Sequence, residues 1–271
     1  MTAPPRVLVI AGSDSSGGAG VQADIKTITI LGGYAMTAIT AVTAQNTLGV
    51  QAVELLPAEL VVAQIDSCLD DIGADAVKIG MLGSAAIAHA VADRLEQLDW
   101  PIVFDPVMVA TSGAVLADRD TIAAFRRLMT LATVVTPNLP ELAVLADTPC
   151  EDEKAVIAAA GALARRSGCA VLAKGGHAAG DTVLDVLVEA DDRVTRFEDR
   201  RIATDHTHGT GCTLASALAT GLGRSAALHH AVGTARRFVR SALQHAPGFG
   251  GGSGPLGHHH AGNRSEAFNA G

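Results

Sequence analysis

The stretch RVLVIAGSDSSGGAGVQADIKT, residues 6–27, carries an apolar β-branched run into a glycine-rich corner and on into a helix-like segment. A strand that breaks at Gly12 and Asp14 and gives way to a helix is the opening half of a βαβ unit. The rest of the chain repeats that rhythm. Candidate strands cover residues 6–12, 35–44, 76–81, 101–107, 133–138 and 170–176, and their near-continuous apolarity implies burial on both faces of a mostly parallel sheet. Residues 60–72, 84–98, 120–131 and 152–167 lie between them and are long enough for crossover helices. The expected fold class is therefore α/β. After Gly176 the pattern changes. VLDVLVEA and RVTRFEDRRI predict an antiparallel hairpin at one edge, turning at Asp191 and Asp192, followed by helices over residues 211–222 and 226–244.

Composition narrows the function classes. The chain has 271 residues, 48% of them hydrophobic and 18% charged, which suffices for a buried core and argues against disorder. A formal charge of −8, with few and scattered basic residues, speaks against nucleic acid as a partner. Cys68, Cys150, Cys169 and Cys212 are widely spaced with no CxxC pair, so reduced thiols in the cytoplasm are expected. No signal peptide is read at the N-terminus. The charge-free stretch over residues 27–53 exceeds the roughly 20 residues of a membrane span. Gly32, Gly33, Gln45 and Asn46 interrupt it, so it reads as a helix end, a strand and a loop, and no membrane partner is expected. A single domain over residues 1–250 is expected, with a glycine-rich and partly mobile tail over residues 251–271. Within that tail His258, His259 and His260 leave a metal site as a minor alternative.

Five segments carry possible chemistry. AGSDSSGGAG fails both the Walker A and the GxGxxG patterns, leaving a capped glycine turn or a ligand-approach loop as equal readings. TAQNT presents the side-chain amides of Gln45 and Asn46, able to read a ring with both donor and acceptor functions or simply to cap a loop. In TPNLPE, Asn138 and Glu141 stand three residues apart, suiting either a carboxylate near Mg²⁺ or a capping box. Lys174 in KGGH follows a buried strand at the end where open α/β sheets bind ligands, which makes it a phosphate-contact candidate. In THGTGCTLASALATGLG, Gly209, Thr210 and Gly211 turn into an Ala-rich helix whose free amides would form an anion hole. Cys212 lies in its first turn, where its thiol pKa is expected to fall. Zinc on His206, His208 and Cys212 and a cysteine hydrolase are the rival readings of the same residues.

Taken together, AGSDSSGGAGVQADIKT, TAVTAQNTLGV, VKIGML, FDPVM followed by SG, TPNLPE, AKGGH, THGTGCTLASALA and GSGPLGHH stand in the order found in the hydroxymethylpyrimidine/phosphomethylpyrimidine kinases, which they resemble. The resemblance implies a three-layer α/β/α ribokinase-like fold, ATP with Mg²⁺ as phosphoryl donor, a homodimer, and two successive transfers. The first goes to 4-amino-5-hydroxymethyl-2-methylpyrimidine and the second to its monophosphate. It also implies roles. Asp24 and Gln45 would hydrogen-bond the pyrimidine, with Ala19, Met81 and Val107 lining its pocket. Lys174, Thr207 and the turn from Gly209 to Cys212 would meet ATP phosphates, with Asp105 and Glu141 near Mg²⁺. Cys212 stands where superfamily sugar kinases carry an Asp base. Ala35, where the family often has Gly, would alter a pocket wall. Pyridoxal kinase activity is the enzyme alternative, and a binding protein for a vitamin precursor is the alternative of another class.

Overall fold

The computed structural model describes residues 3–110, 113–177 and 180–261. In chain order the elements are β1 (Arg6–Asp14), α1 (Gly20–Ile30), β2 (Tyr34–Asn46), β3 (Gly49–Leu55), α2 (Ala58–Asp71), β4 (Ala76–Ile79), α3 (Ala85–Leu95), β5 (Ile102–Phe104), α4 (Arg119–Leu131) and β6 (Val134–Val135). They continue with α5 (Leu139–Ala146), α6 (Glu153–Ser167), β7 (Ala170–Ala173), β8 (Thr182–Val188), β9 (Val194–Arg200), α7 (Thr210–Gly223), α8 (Leu228–Gln244) and α9 (His258–Ala261).

The strands form one sheet in the order β3-β2-β1-β4-β5-β6-β7-β8-β9. Pairing is parallel from β2 through β7 and antiparallel at both margins, where β3 joins β2 and β8 and β9 form the expected hairpin. Side chains alternate across the sheet with the period of two that a strand imposes. Leu8 and Ile10 enter a core shared with α2, α3, α4 and α6, whereas Val7 and Val9 enter one shared with α1, α7 and α8. These are the three layers of an α/β/α fold. Local signals set the helix starts: Asp118 caps α4 by accepting from the Thr121 amide at 2.8 Å, and Asp152 caps α6 by accepting from Ala155 at 2.7 Å.

One expectation is corrected. Residues 49–55 are a strand rather than a loop, pairing Leu55 with Ala41 and Val53 with Thr43. That strand is exposed along most of its length, so it lacks the buried run by which the other strands announce themselves. The first part of the glycine-rich tail packs against the helices. Leu256 and His258 are 4% and 3% exposed, and the His258 ring nitrogen Nε2 lies 2.9 Å from the Thr213 hydroxyl. Residues 262–271 lie outside the described residues. Among the described residues no cluster of three or more metal-ligating side chains is present, and no helix is long and apolar enough to cross a membrane.

Burial holds the His258 imidazole down to about 4. The unfolded chain takes up this proton near pH 6.5 and the folded one near 4, so the site's contribution is complete above pH 6.5 and is lost as pH falls toward 4. His258→Gln should therefore lose less stability than the parent between pH 7 and 4, by an amount on the order of 3 kcal/mol. Urea melts at the two pH values check this, and an identical pH loss in both proteins would contradict it.

Candidate active site

Parallel strands deliver their carboxyl ends to one edge of the sheet, and the strand order reverses at β1: the chain runs from β1 out to β2 and β3 on one side, then crosses back through α2 to β4 on the other. A crevice outside strand ends at such a switch point is where open α/β folds bind ligands. A cavity of about 860 Å³ lies there. At one end it is lined by Ala19, Gln45, Met81 and Val107, together with Asp14 and His208. At the other end are Asp105, Glu141, Lys174, Thr207 and the turn from Gly209 to Cys212. Each comes from the end of a different strand or from the start of a helix, which explains why residues far apart in sequence converge.

The two helices that point into this cavity begin at glycines that no other residue can replace. Gly209 caps α7 with φ of 86°, and a Cβ there would lie 1.9 Å from the Gly18 carbonyl oxygen. Gly20 opens α1 with φ of 57°, and its Cβ would meet the Gly12 carbonyl oxygen at 2.4 Å. The first turns of α1 and α7 are thereby pressed together. At the start of α7 the amides of Gly211 and Cys212 precede any carbonyl of their own helix, so their N–H groups and the positive dipole end face the cavity.

The Cys212 expectation is corrected in sign. A helix start would lower its thiol pKa, but burial outweighs this and, against the pull of the Lys78 ammonium, pushes the thiol up to about 11. At neutral pH the resting group is a thiol. Any proton it takes must follow its own ionisation, a fact that bears on the rate profile below.

Lys174 donates to Asp105 Oδ1 at 2.7 Å, and the Thr136 hydroxyl donates to the same oxygen at 2.9 Å. Burial works against the Lys174 charge, and Asp105, Glu141 and Cys212 together more than offset it, raising the ammonium pKa. Both readings of Asn138 and Glu141 hold at once. The capping box is complete, with the Glu141 amide donating to Asn138 Oδ1 and the Asn138 amide donating to Glu141 Oε2, each at 2.8 Å. Glu141 also lines the cavity, where burial pushes its carboxyl up and Lys174 draws it back. Two carboxylates facing one ammonium leave a negative balance in a desolvated wall. That donor set suits Mg²⁺ held through water and phosphate oxygens, the manner in which this hard ion is usually shared between one or two carboxylates and a nucleotide.

Asp24, expected to hydrogen-bond the substrate, is not among the residues that line the cavity. It is fully buried beneath the cavity, with its two oxygens 3.0 and 2.9 Å from Lys78 Nζ and the Ser216 hydroxyl donating at 2.6 Å. No acceptor capacity faces a ligand. Ala35 is likewise distant, pairing with Val7 at the start of the parallel strands and so leaving the pocket wall untouched. The zinc reading of His206, His208 and Cys212 fails because His208 Nε2 is engaged with Asp14 Oδ2 at 2.8 Å.

That Asp14–His208 pair was missed in the sequence. Burial alone would raise the Asp14 carboxyl, yet His208, Ser16 and the Ala19 amide together hold it down to about 2. Asp14 thus closes the glycine turn through the Ser16 and Ala19 amides at 2.9 and 2.8 Å while orienting a histidine from the far end of the chain. The Gln45 amide nitrogen lies 3.3 Å from the same His208 nitrogen, which places an amide and an imidazole side by side at the pocket end.

Comparison with known proteins identifies the family. The model of the phosphomethylpyrimidine kinase family matches residues 14–257. The hydroxymethylpyrimidine/phosphomethylpyrimidine kinase of Streptomyces coelicolor is 46% identical over 260 residues, covering 94% of both chains. A thiamine biosynthesis multifunctional protein of Corynebacterium efficiens is 44% identical over 260 residues, and the chain spans 94% of its own length but 35% of that protein. Among solved structures, the Staphylococcus aureus pyridoxal kinase in complex with AMP-PCP and pyridoxal superposes with a TM-score of 0.88 at 33% identity, covering 97% of this chain and 96% of that one. With the motifs in order along the chain and their side chains gathered around one cavity, the chain belongs to the phosphomethylpyrimidine kinase family.

Proposed function

We propose that the chain transfers a phosphoryl group from ATP to the hydroxymethyl group of 4-amino-5-hydroxymethyl-2-methylpyrimidine and then transfers a second one to the monophosphate. The observation that carries this is that one cavity is lined by the Gln45–His208 pair, by Cys212 with the start of α7, and by Lys174, Asp105 and Glu141. Gln45 offers the donor and acceptor that an aminopyrimidine edge requires. Lys174 and the α7 start would hold the phosphates, and Asp105 and Glu141 would hold Mg²⁺, which when bound neutralises charge on the transferring phosphoryl group. In the first transfer the acceptor oxygen forms a bond to the γ-phosphorus as the bond to ADP breaks, and its proton passes to the thiolate that Cys212 becomes once its own proton has been lost to solvent. A pure binding protein would need neither the buried ammonium nor the thiol at that place.

Pyridoxal is the second reading, favoured by the close superposition on a pyridoxal-bound kinase. ADP release measured with Mg·ATP and, in turn, the pyrimidine, its monophosphate, pyridoxal and ribose separates them. Turnover of both pyrimidines with inert ribose is expected, and preferential turnover of ribose would defeat the assignment. Exposed Val42, Val53 and Leu55 on β2 and β3 support a homodimer through that edge, and four free cysteines support a reducing, cytoplasmic setting.

Glu141→Gln separates the two roles of that residue. Glutamine retains an oxygen for the Asn138 amide, so the helix cap persists while the charge is lost. Turnover should fall by roughly two orders of magnitude, the scale of a lost electrostatic contact to the transferring group, with pyrimidine affinity within about twofold of the parent. Full turnover with an unchanged Mg²⁺ requirement would reduce Glu141 to a cap.

A further inference from the structure

In the wall of the same cavity lies a buried charged cluster that none of the chemistry above employs. Asp185 on β8 and Arg236 on α8 are 7% and 8% exposed. One Asp185 oxygen accepts from the Gly175 amide at 2.8 Å, and the other accepts from Arg236 Nε at 2.7 Å. Arg236 also reaches Asp199 on β9 through Nη1 at 2.9 Å, and its guanidinium lies 5.5 Å from the centroid of the Phe197 ring. Burying such a network is costly unless every member is satisfied.

Its location supplies a reason for keeping it. The Lys174 amide is fixed to the Pro137 carbonyl at 2.9 Å. One residue later the chain leaves the ladder, pressed so closely onto β8 that a Cβ at Gly175 would lie 1.9 Å from the Leu184 carbonyl oxygen. The buried Gly175 N–H is met there by a side chain, Asp185, in place of a strand partner. We propose that Asp185 is a positioning residue that fixes the turn from Lys174 to Gly176 for nucleotide phosphate, with Arg236 cancelling its charge so that the anion site is not repelled. This rests on the reading that Lys174 meets the phosphates of ATP.

The test is calorimetric binding of ADP in Mg²⁺ buffer, with steady-state kinetics beside it. Asp185→Ala should weaken ADP about tenfold, as expected for one buried amide left without its acceptor, and raise the KM for ATP in parallel. Pyrimidine affinity should stay within about twofold, and kcat at saturating ATP within about threefold. Asp185→Asn should restore ADP affinity to within about threefold of the parent, because the amide oxygen still serves Gly175; its NH2 group gives up the bond from Arg236 Nε, and Arg236 retains Asp199. General destabilisation would weaken both ligands and would not be cured by asparagine. Should the alanine variant fail to fold, Asp185→Val, suited to a strand and without an acceptor, carries the same expectation. Unchanged ADP affinity in the alanine or valine variant, or an equal loss in asparagine, overturns the proposal. Lys174→Met tells this failure from that of the underlying reading. Loss of ADP affinity there but not in Asp185→Ala removes the positioning role alone, and loss in neither places the nucleotide elsewhere and removes both.

Discussion

Cys212→Ser is expected to slow phosphorylation of the pyrimidine alcohol by roughly two orders of magnitude, the scale of a lost general base, while slowing phosphorylation of the monophosphate by less than about tenfold. The asymmetry comes from the acceptors. A hydroxyl must surrender a proton during transfer, whereas a phosphate monoester, with its second pKa of about 6, is already an oxyanion at neutral pH. Proton removal is late in a loose phosphoryl-transfer transition state, so the first-step loss should fall toward the lower end of the range for a base. The pH dependence sharpens the expectation. With the thiol pushed up to about 11, the thiolate fraction grows steadily between pH 7 and 10, and first-step kcat in the parent should climb over that span. The second step should be nearly flat there, and the serine variant flat in both. Measuring kcat for each acceptor separately, with ATP saturating, decides the matter. Equal losses for the two acceptors would mean that the thiol orients the phosphoryl group without taking a proton, and full activity for both would leave it a small residue in a crowded turn.

Lys78→Met should destabilise the fold by about 3–5 kcal/mol, because it strands the Asp24 carboxylate without its counter-ion in the interior. Both side chains are 0% exposed. Burial opposes the Lys78 charge, yet Asp24 and, farther off, Cys212 and Asp105 raise its pKa, so the pair is ionised. For a chain of this size the thermal midpoint should drop by roughly 6–20 °C. Lys78→Met with Asp24→Leu removes both charges and should recover much of the loss, since well-packed apolar replacements of buried ion pairs are often neutral. The consequence reaches the active site. Ser216, which donates to Asp24, lies one helical turn beyond Cys212 on α7, and Asp24 lies one turn beyond Gly20 on α1. The Ser216–Asp24 hydrogen bond therefore fastens the two helices near their cavity-facing ends, and Lys78 on β4 holds the Asp24 carboxylate in place for it. Urea melts of the parent, single and double variants measure the effect, and a single variant as stable as the parent would show that Lys78 contributes nothing net.

The parallel strands and their crossover helices were legible because strands buried on both faces are apolar at nearly every position and helices of an α/β fold keep their own period. β3 was not, since its exposed alternation of Val50, Gln51, Ala52 and Val53 carries neither signal. The packed tail was hidden by its glycines, although Leu256 and His258 within it fill the core beside α1, α7 and α8. At the site, the fold brings motifs that act locally to one cavity: the α7 turn, Lys174 after β7, and Asn138 with Glu141 all line it. Asp14 and His208, 194 residues apart, could be paired only by the fold. A carboxylate in a glycine-rich motif looks like a ligand contact, and the burial of Asp24 between Lys78 and Ser216 is not visible in the sequence. The Cys212 shift was wrong in direction because helix position is visible in a sequence and burial is not.

Phosphorus NMR of the protein incubated with Mg·ATP and the pyrimidine alcohol tests the central claim most directly. A monophosphate signal should appear first and then give way to a diphosphate, with stoichiometric ADP at each stage. An unchanged pyrimidine alongside phosphorylated pyridoxal or ribose in a parallel tube would contradict the account.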